Sequence, residues 1–175
     1  MGVGVGEVVE AFQYFFDSIL SRTYAKSVRF EHYNENQLLP LVRSYLLGYF
    51  WDDMKAELAS SLPGRATKSG RIDFVVGDIA VELAVRPRGA RGKRALCAAE
   101  NETEVKKLLR WPGPGVLILF DFGRSLMTEE DLKAYRVLPS LGKGRWTTSS
   151  FQLAYLHQTT RPRGTSVVRK RVLAR

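Results

Sequence analysis

One short stretch constrains the fold of this chain more than any other. Residues 70–87 have the sequence GRIDFVVGDIAVELAVRP, in which two runs rich in β-branched and aromatic residues flank Gly77 and Asp78. Runs of this composition favour strands, and a Gly-first dipeptide between them favours a two-residue hairpin turn. The sequence therefore predicts a β-hairpin in which each strand carries one acid, Asp73 and Glu82.

The turn determines which side chains of the hairpin share a face. With Gly77 and Asp78 as the loop, Asp73 lies opposite Glu82, and alternation along the strands gives one face two sets of residues: Arg71, Asp73 and Val75, and Ala80, Glu82, Ala84 and Arg86. Opposed Cβ atoms lie about 4.5–5.5 Å apart, where like charges repel. Two carboxylates this close need a shared proton or a compensating cation. The sequence leaves open whether Arg71 and Arg86 supply it or a divalent metal such as Mg²⁺, which prefers carboxylate oxygens.

Composition narrows the partners and excludes several kinds of site. A net charge of +9 and a pI near 9.9 favour a polyanionic partner, nucleic acid first and an anionic membrane second. The single Cys97 excludes an intramolecular disulfide and a cysteine-cluster metal site, and His32 and His157 are too few for a His-based zinc site. No apolar run approaches the roughly 20 residues of a membrane span. Because acids also interrupt the apolar N-terminal stretch, we expect a cytoplasmic protein.

Apolar periodicity predicts the remaining elements. Helices are expected at residues 7–26, 35–50, 100–111 and 128–136, and further strands near 51–58, 115–122 and 151–157. The run GVLILFDF at 115–122 is continuous, as in a strand buried on both faces. This order predicts a single domain, residues 1–160, of the α/β (α+β) class, with a central mixed β-sheet flanked by helices.

Two of the predicted helices have further features. The aromatic N-terminal helix, residues 7–26, either packs on the sheet or pairs with a second copy in a homodimer. Asn34 or Asn36 can cap the next helix, and Pro40 favours a start at Asn36, because proline is best tolerated in the first turn.

Basic residues are concentrated in two segments. Residues 86–94, RPRGARGKR, contain five cations and no acid, and two glycines favour mobility: the cations are Arg86, Arg88, Arg91, Lys93 and Arg94. This segment leaves the second hairpin strand directly, so it could follow a phosphate backbone, which arginine binds in a bidentate manner. The tail at 161–175 also carries only basic charges, and we expect it to be mobile unless bound. Residues 60–70, SSLPGRATKSG, indicate an exposed linker.

The helix, the acidic hairpin, the next helix and the apolar strand together resemble the PD-(D/E)xK nuclease superfamily over residues 34–122. Glu35 in NENQLL matches the helix glutamate of that family, Asp73 in GRIDFVV its aspartate, and Glu82 in AVELAV the glutamate of its Glu-x-Lys motif. The resemblance implies a restriction-endonuclease-like core and an endonuclease that hydrolyses phosphodiester bonds of DNA or, less often, RNA. It also implies that Asp73 and Glu82 hold Mg²⁺ or Mn²⁺ and that Glu35 assists them.

The chain departs from the family at the lysine of the motif, where it has Ala84. Three interpretations remain open. The amine comes from Arg71 or, on the following helix, from Lys106 or Lys107, three cations that we also expect to contact nucleic acid. Alternatively, the chain is a non-catalytic nucleic-acid-binding or assembly module, or it is an engineered Lys-to-Ala variant.

A further possibility is a basic face that binds an acidic protein or anionic lipid. The predicted register places Ala84 beside a polar cleft, so we expect Ala84→Lys to fold normally.

Overall fold

The elements of the computed structural model follow the predicted order. It describes residues 2–21, 23–24, 26–60, 70–137, 139–141, 149–160 and 166–173, with the backbone alone at 58–60, 159–160 and 166–173. The helices are α1 (Val5–Leu20), α2 (Glu35–Phe50), α3 (Glu102–Arg110) and α4 (Glu129–Lys133). The strands are β1 (Met54–Ser60), β2 (Gly70–Val76), β3 (Ile79–Arg86), β4 (Gly115–Asp121), β5 (Phe151–Thr160) and β6 (Ser166–Leu173). Residues 61–69 of the predicted linker lie outside the described residues.

The strands form one mixed sheet in the order β1-β2-β3-β4-β5-β6. The first three strands are antiparallel neighbours, β3, β4 and β5 are parallel, and β6 is antiparallel to β5. Parallel neighbours need a crossover connection, which here contains α3 between β3 and β4 and α4 between β4 and β5. The predicted mixed sheet flanked by helices, of the α+β class, is confirmed.

Each face of the sheet is covered by two helices. On one face, Phe12 and Phe16 of α1 pack on Phe120 of β4 with ring centroids 6.1 and 4.8 Å apart, in a core that α2 also covers. On the other face, Leu108 of α3 and Leu132 of α4 enter a second core. Strands β3 and β4 are buried along their whole length, as predicted for the apolar run at 115–122. The N-terminal helix therefore packs on the sheet, while the homodimer stays a prediction.

Several predictions of detail are settled by the backbone. The hairpin register is confirmed by the pairs Phe74–Val81 and Val76–Ile79. The first helix ends at Leu20, short of the predicted residue 26, because the backbone becomes extended at Ser21. In the part of the chain that the structure describes, none of the helices has the length and apolar character needed to cross a membrane.

The basic tail is not the mobile segment that the sequence predicted. Residues Ser166–Leu173 form β6, which pairs with β5 from Thr160–Ser166 to Leu153–Leu173. An outer strand with unpaired N–H and C=O groups readily accepts another strand, and this pairing covers the outer side of β5. Residues 161–165 and 174–175 of the tail lie outside the described residues.

Candidate active site

The first candidate acid, Glu35, is the first residue of α2. The helix begins there because Asn34 caps it: Asn34 Oδ1 accepts from the Gln37 N–H at 3.1 Å, and Gln37 Oε1 accepts from the Asn34 N–H at 3.0 Å. This reciprocal capping box replaces the predicted start at Asn36, and Pro40 is accommodated inside the helix. The cap holds Glu35 at the N-terminal end of α2, where the helix dipole favours negative charge.

Asp73 lies at an irregularity of β2. Residues on both sides of Glu57 and Asp73 pair in the β1–β2 ladder, but these two are left out of it, and Glu57 has a left-handed φ of 53°. Side-chain alternation breaks at the same point, because Ile72 packs in the core under α3 and Phe74 in the core under α1 and α2. The predicted continuous face of the strand is therefore wrong here. In place of a ladder bond, Asp73 Oδ2 accepts from the Leu83 N–H at 2.9 Å.

Glu82 of β3 and Lys107 of α3 form a buried ion pair. Their relative exposures are 0% and 8%, and Lys107 Nζ donates to Glu82 Oε2 at 2.8 Å. The other carboxylate oxygen, Oε1, is buried without a hydrogen-bond partner among the described residues. Buried polar atoms are normally hydrogen-bonded, so this oxygen fits a site that binds a cation or a donor group.

Burial and mutual charge perturb four ionisable groups at this point. Burial is the first cause that raises the pKa of Glu35 to about 7, followed by the charges of Asp73 and Glu104. Burial also raises the pKa of Asp73, against a backbone hydrogen bond and Lys107, and raises the pKa of Glu82 well above its usual value, with Asp73 adding to it. Burial lowers the pKa of Lys107, but the charge and hydrogen bond of Glu82 raise it overall.

The ionisable side chains of this site have an uncompensated negative charge that a cation could neutralise. When all are ionised, the carboxylates of Glu35, Asp73 and Glu82 and the ammonium of Lys107 carry a net charge of about −2, which one divalent ion would neutralise. No three His, Cys, Asp or Glu side chains converge as a metal-binding group within the described ranges. Mg²⁺ is commonly held by one or two carboxylates, with waters and substrate phosphates completing its shell. Asp73 and the free Oε1 of Glu82 fit that ligand set.

Glu104 is a fifth charged residue that acts on these four groups, and the sequence analysis did not single it out. Its charge acts on the pKa values of Glu35, Asp73, Glu82 and Lys107. It precedes Lys107 by three residues on α3, and residues three apart lie on the same side of a helix. The spacing of three residues from the candidate Lys107 was the sequence signal that could have placed Glu104 next to the site.

Ala84 lies in the hydrophobic core, which contradicts the expectation of a polar cleft. It is 1% exposed and belongs to the core under α3 together with Leu96 and Leu108, and its register partner in β4 is Leu119. A lysine stem would overpack this site and bury a charge. We therefore expect Ala84→Lys to destabilise the fold. The amine that contacts Glu82 comes from Lys107, on the following helix.

The other candidate amines have different partners. Arg71 pairs with Glu57 at 3.0 Å on the surface, and Lys106 pairs with Glu102 one turn earlier on α3. The hypothesis that Arg71 and Arg86 neutralise the two hairpin acids is therefore wrong, because the compensating cation at Glu82 is Lys107.

Arg86 is buried in a network at the ends of the parallel strands. Its Nε and Nη2 donate to Asp121 Oδ1 and Oδ2 at 2.7 and 2.5 Å, and Nη2 also donates to the Ser125 carbonyl at 2.5 Å. Tyr155 OH donates to Asp121 Oδ2 at 2.5 Å. With a relative exposure of 1%, Arg86 anchors the segment that follows β4 and cannot present its guanidinium to a phosphate.

The remaining cations of the basic segment mostly have internal partners. Arg88 pairs with Glu31 at 3.5 Å, and Lys93 with Asp131 at 2.6 Å, while Arg94 pairs with Glu100. The Lys93 hydrogen bond and the Thr128 N–H hold the pKa of Asp131 down at about 2. Within the described residues, Arg91 is exposed and makes no ion pair. Because the cations on both sides of Arg91 pair with other parts of the chain, the segment differs from the mobile polybasic loop that was predicted.

Comparisons with known proteins assign the chain to no family. No protein-family model matches the chain, and no curated protein or solved structure matches it significantly. The functional interpretation therefore depends on how Glu35, Asp73, Glu82 and Lys107 are arranged.

Proposed function

We propose that this protein is a metal-dependent nuclease with a restriction-endonuclease-like core, in which Lys107 takes the role of the motif lysine. The observation that carries the proposal is the contact of 2.8 Å between Lys107 Nζ and Glu82 Oε2, beside an orphaned Oε1. The order α2, β1, β2, β3, α3, β4 supports the core. The charge of +9 supports a nucleic-acid substrate, DNA before RNA.

The side chains have distinct roles in this proposal. Asp73 and Glu82 would hold Mg²⁺ or Mn²⁺, with Glu35 at the border of the site. Such an ion, when bound, polarises a phosphate and lowers the pKa of a bound water. Lys107 keeps its ammonium form because Glu82 raises its pKa, so it can neutralise phosphate charge and orient a water. Glu35, with a pKa of about 7, can exchange a proton near neutral pH.

A non-catalytic nucleic-acid-binding module is the second candidate. It is favoured by the absence, within the described residues, of three converging metal-ligating side chains. Such a module would be attracted to nucleic acid by the net charge of +9 and would bind it equally well with or without a divalent ion. The two candidates therefore differ in turnover rather than in binding.

Cleavage assays with matched variants test the proposal. The parent chain, Glu82→Gln and Lys107→Met are incubated with plasmid and with single-stranded DNA and RNA, in Mg²⁺, in Mn²⁺ and in chelator. Lys106→Met is the control, because Lys106 lies on the same helix but pairs with Glu102. We expect metal-dependent cleavage by the parent and the control, and a loss of at least about 10²-fold in the other two. Binding by the parent without any cleavage would favour the non-catalytic module.

A further inference from the structure

A groove begins at the proposed active site and runs along α2. It has a volume of about 580 Å³ and lies between α2 and the first two strands, with walls that include Leu39, Arg43 and Leu47 from α2, Glu57 from β1 and Asp73 from β2. Asp73 therefore belongs both to the carboxylate group and to the groove. Whatever occupies the groove lies next to the atoms that would contact the scissile phosphate.

The groove combines apolar surface with one cation, Arg43, and two carboxylates: Glu57, which pairs with Arg71, and Asp73 of the proposed metal site. Leu39, Pro40 and Leu47 form its apolar α2 wall, and Phe74 also lines it. Arg43 is exposed and makes no ion pair in the part of the chain described, unlike most cations of the 86–94 segment. Proteins that bind single-stranded nucleic acid pair cations for the backbone with flat or apolar surfaces on which bases stack.

The surface beyond the groove continues this pattern. Arg43 and Leu47 are four residues apart on one side of α2. Trp51 follows the last residue of the helix, Phe50, and its backbone N–H donates to the Leu47 carbonyl. Leu47 and Trp51 are 45% and 77% exposed. Arg43 and Phe50, the last residue of α2, are seven residues apart, or about 10 Å along the helix, so Arg43 and Trp51 are far enough apart to contact different nucleotides.

The backbone on this side of the molecule is unusual. Trp51 and Glu57 are the two non-glycine residues with positive φ among those described, at 51° and 53°. Such conformations cost free energy and concentrate at functional sites. Glu57 lines the groove, and Trp51 directly follows the C-terminal end of α2, the helix that forms one wall of the groove. An exposed tryptophan in a conformation that favours glycine suggests that its side chain is retained for contact.

We propose that this groove and Trp51 bind a single-stranded segment of nucleic acid, with an unstacked base on the apolar wall, a phosphate on Arg43 and a following base on Trp51. The inference rests on the proposed nuclease function and deepens it by naming the substrate class. In a duplex the faces of the bases are stacked on one another, so neither the wall nor Trp51 could be used. The substrate at this site is therefore a single strand or an unpaired end.

Binding measured without metal separates this inference from catalysis. Fluorescence anisotropy in chelator gives Kd for a labelled oligonucleotide of about 12 nucleotides and for its duplex. We expect Trp51→Ala to weaken single-strand binding by about tenfold and Arg43→Ala to reduce the salt slope of log K by about 0.7, with duplex binding unchanged. The controls are Lys133→Ala and Val137→Ala, exposed residues that follow Leu132 of the opposite core.

A second substitution guards against misfolding. Trp51→Gly removes the side chain and also relieves the positive φ, so it should unfold at the same or a higher temperature than the parent while losing single-strand affinity. Trp51→Phe keeps an aromatic ring and should restore most of that affinity.

Several results would overturn the inference. One is an unchanged Kd for single strands in Trp51→Gly, and another is an equal loss of affinity for single strand and duplex. A third is a dimeric parent that becomes monomeric in Trp51→Gly, since the occupant of the groove would then be a second copy of the chain. Groove-dependent binding of single strands without any metal-dependent cleavage would instead refute the nuclease function alone. Cleavage by the parent together with unaltered binding by the variants would refute the groove alone.

Discussion

Replacing Lys107 by methionine removes the side chain that, among the described residues, donates to the buried Glu82 carboxylate, while keeping a side chain of similar length. Glu82 Oε2 would lose its hydrogen bond of 2.8 Å, and Oε1 has no partner within the described residues to compensate. Breaking a buried ion pair typically costs about 3–5 kcal/mol of unfolding free energy. Because Glu82 can take up a proton, we expect a loss near the lower end, about 3 kcal/mol at pH about 8.

The loss should depend on pH in a defined direction. Burial already raises the pKa of Glu82, and Lys107 opposes that rise, so the variant raises the folded-state pKa further. A carboxyl whose pKa is higher in the folded than in the unfolded state is stabilised by protonation, and stability falls as pH rises through that interval. The destabilisation relative to the parent should therefore shrink to about 1–2 kcal/mol at pH about 5.5.

Urea unfolding in chelator at the two pH values measures both effects. Lys106→Met, which removes the partly exposed pair with Glu102, should change stability by no more than about 0.5 kcal/mol. The double variant with Glu82→Gln should recover part of the loss, because no buried carboxylate then remains. An Lys107→Met protein as stable as the parent at the higher pH, or destabilised equally at both, would refute the buried pair.

Four further perturbations address the carboxylates of the site and the packing of the core. The unfolding free energy of the metal-free protein should fall by about 2 kcal/mol between pH about 5 and 8, because folded Glu35 keeps its proton up to a pKa of about 7 and the unfolded carboxyl does not. Urea titrations with and without Mn²⁺ measure this change, and a rise in stability with pH would contradict it. Asp73→Asn should match or exceed the parent in metal-free Tm, since an amide oxygen can still accept the backbone N–H, but should lose stabilisation by Mn²⁺; a marked drop in Tm would show that the charge itself stabilises the fold. Ala84→Lys should be destabilised by about 3 kcal/mol, and Gly123→Ala by about 1–3 kcal/mol, since a Cβ at 123 would lie 2.5 Å from Arg86 Nε; denaturation midpoints equal to the parent's would contradict either.

Local patterns predicted most of the fold. The hairpin, the buried strand at 115–121 and the helices were accessible because periodicity and turn chemistry act between residues near in sequence. The failures have a local cause too: alternation assumes a regular strand, and the irregularity at Glu57 and Asp73 breaks it. The sixth strand was missed because a basic composition outweighed the short apolar pattern of 166–173.

The candidate site was predictable in its acids and only partly in its cation. Glu35, Asp73 and Glu82 were recognised from their order, but the choice among Arg71, Lys106 and Lys107 depends on how α3 docks on the sheet. Similarly, composition revealed the charges of residues 86–94 but not their partners. Glu31 and Asp131 come from distant parts of the chain, and their pairing with Arg88 and Lys93 is a tertiary contact.

The sequential order of the sheet has a consequence for how the protein is made. Each strand pairs with the strand that precedes it in the chain, so the sheet can assemble in chain order, with the parallel pairs waiting for the crossovers that contain α3 and α4. Domains can form as the chain emerges from the ribosome, and the four residues of the candidate site all precede the end of β4 at Asp121. The nascent chain could therefore assemble the site while the outer edge of β4 still waits for β5, and that interval is when mispairing with another chain is most favoured.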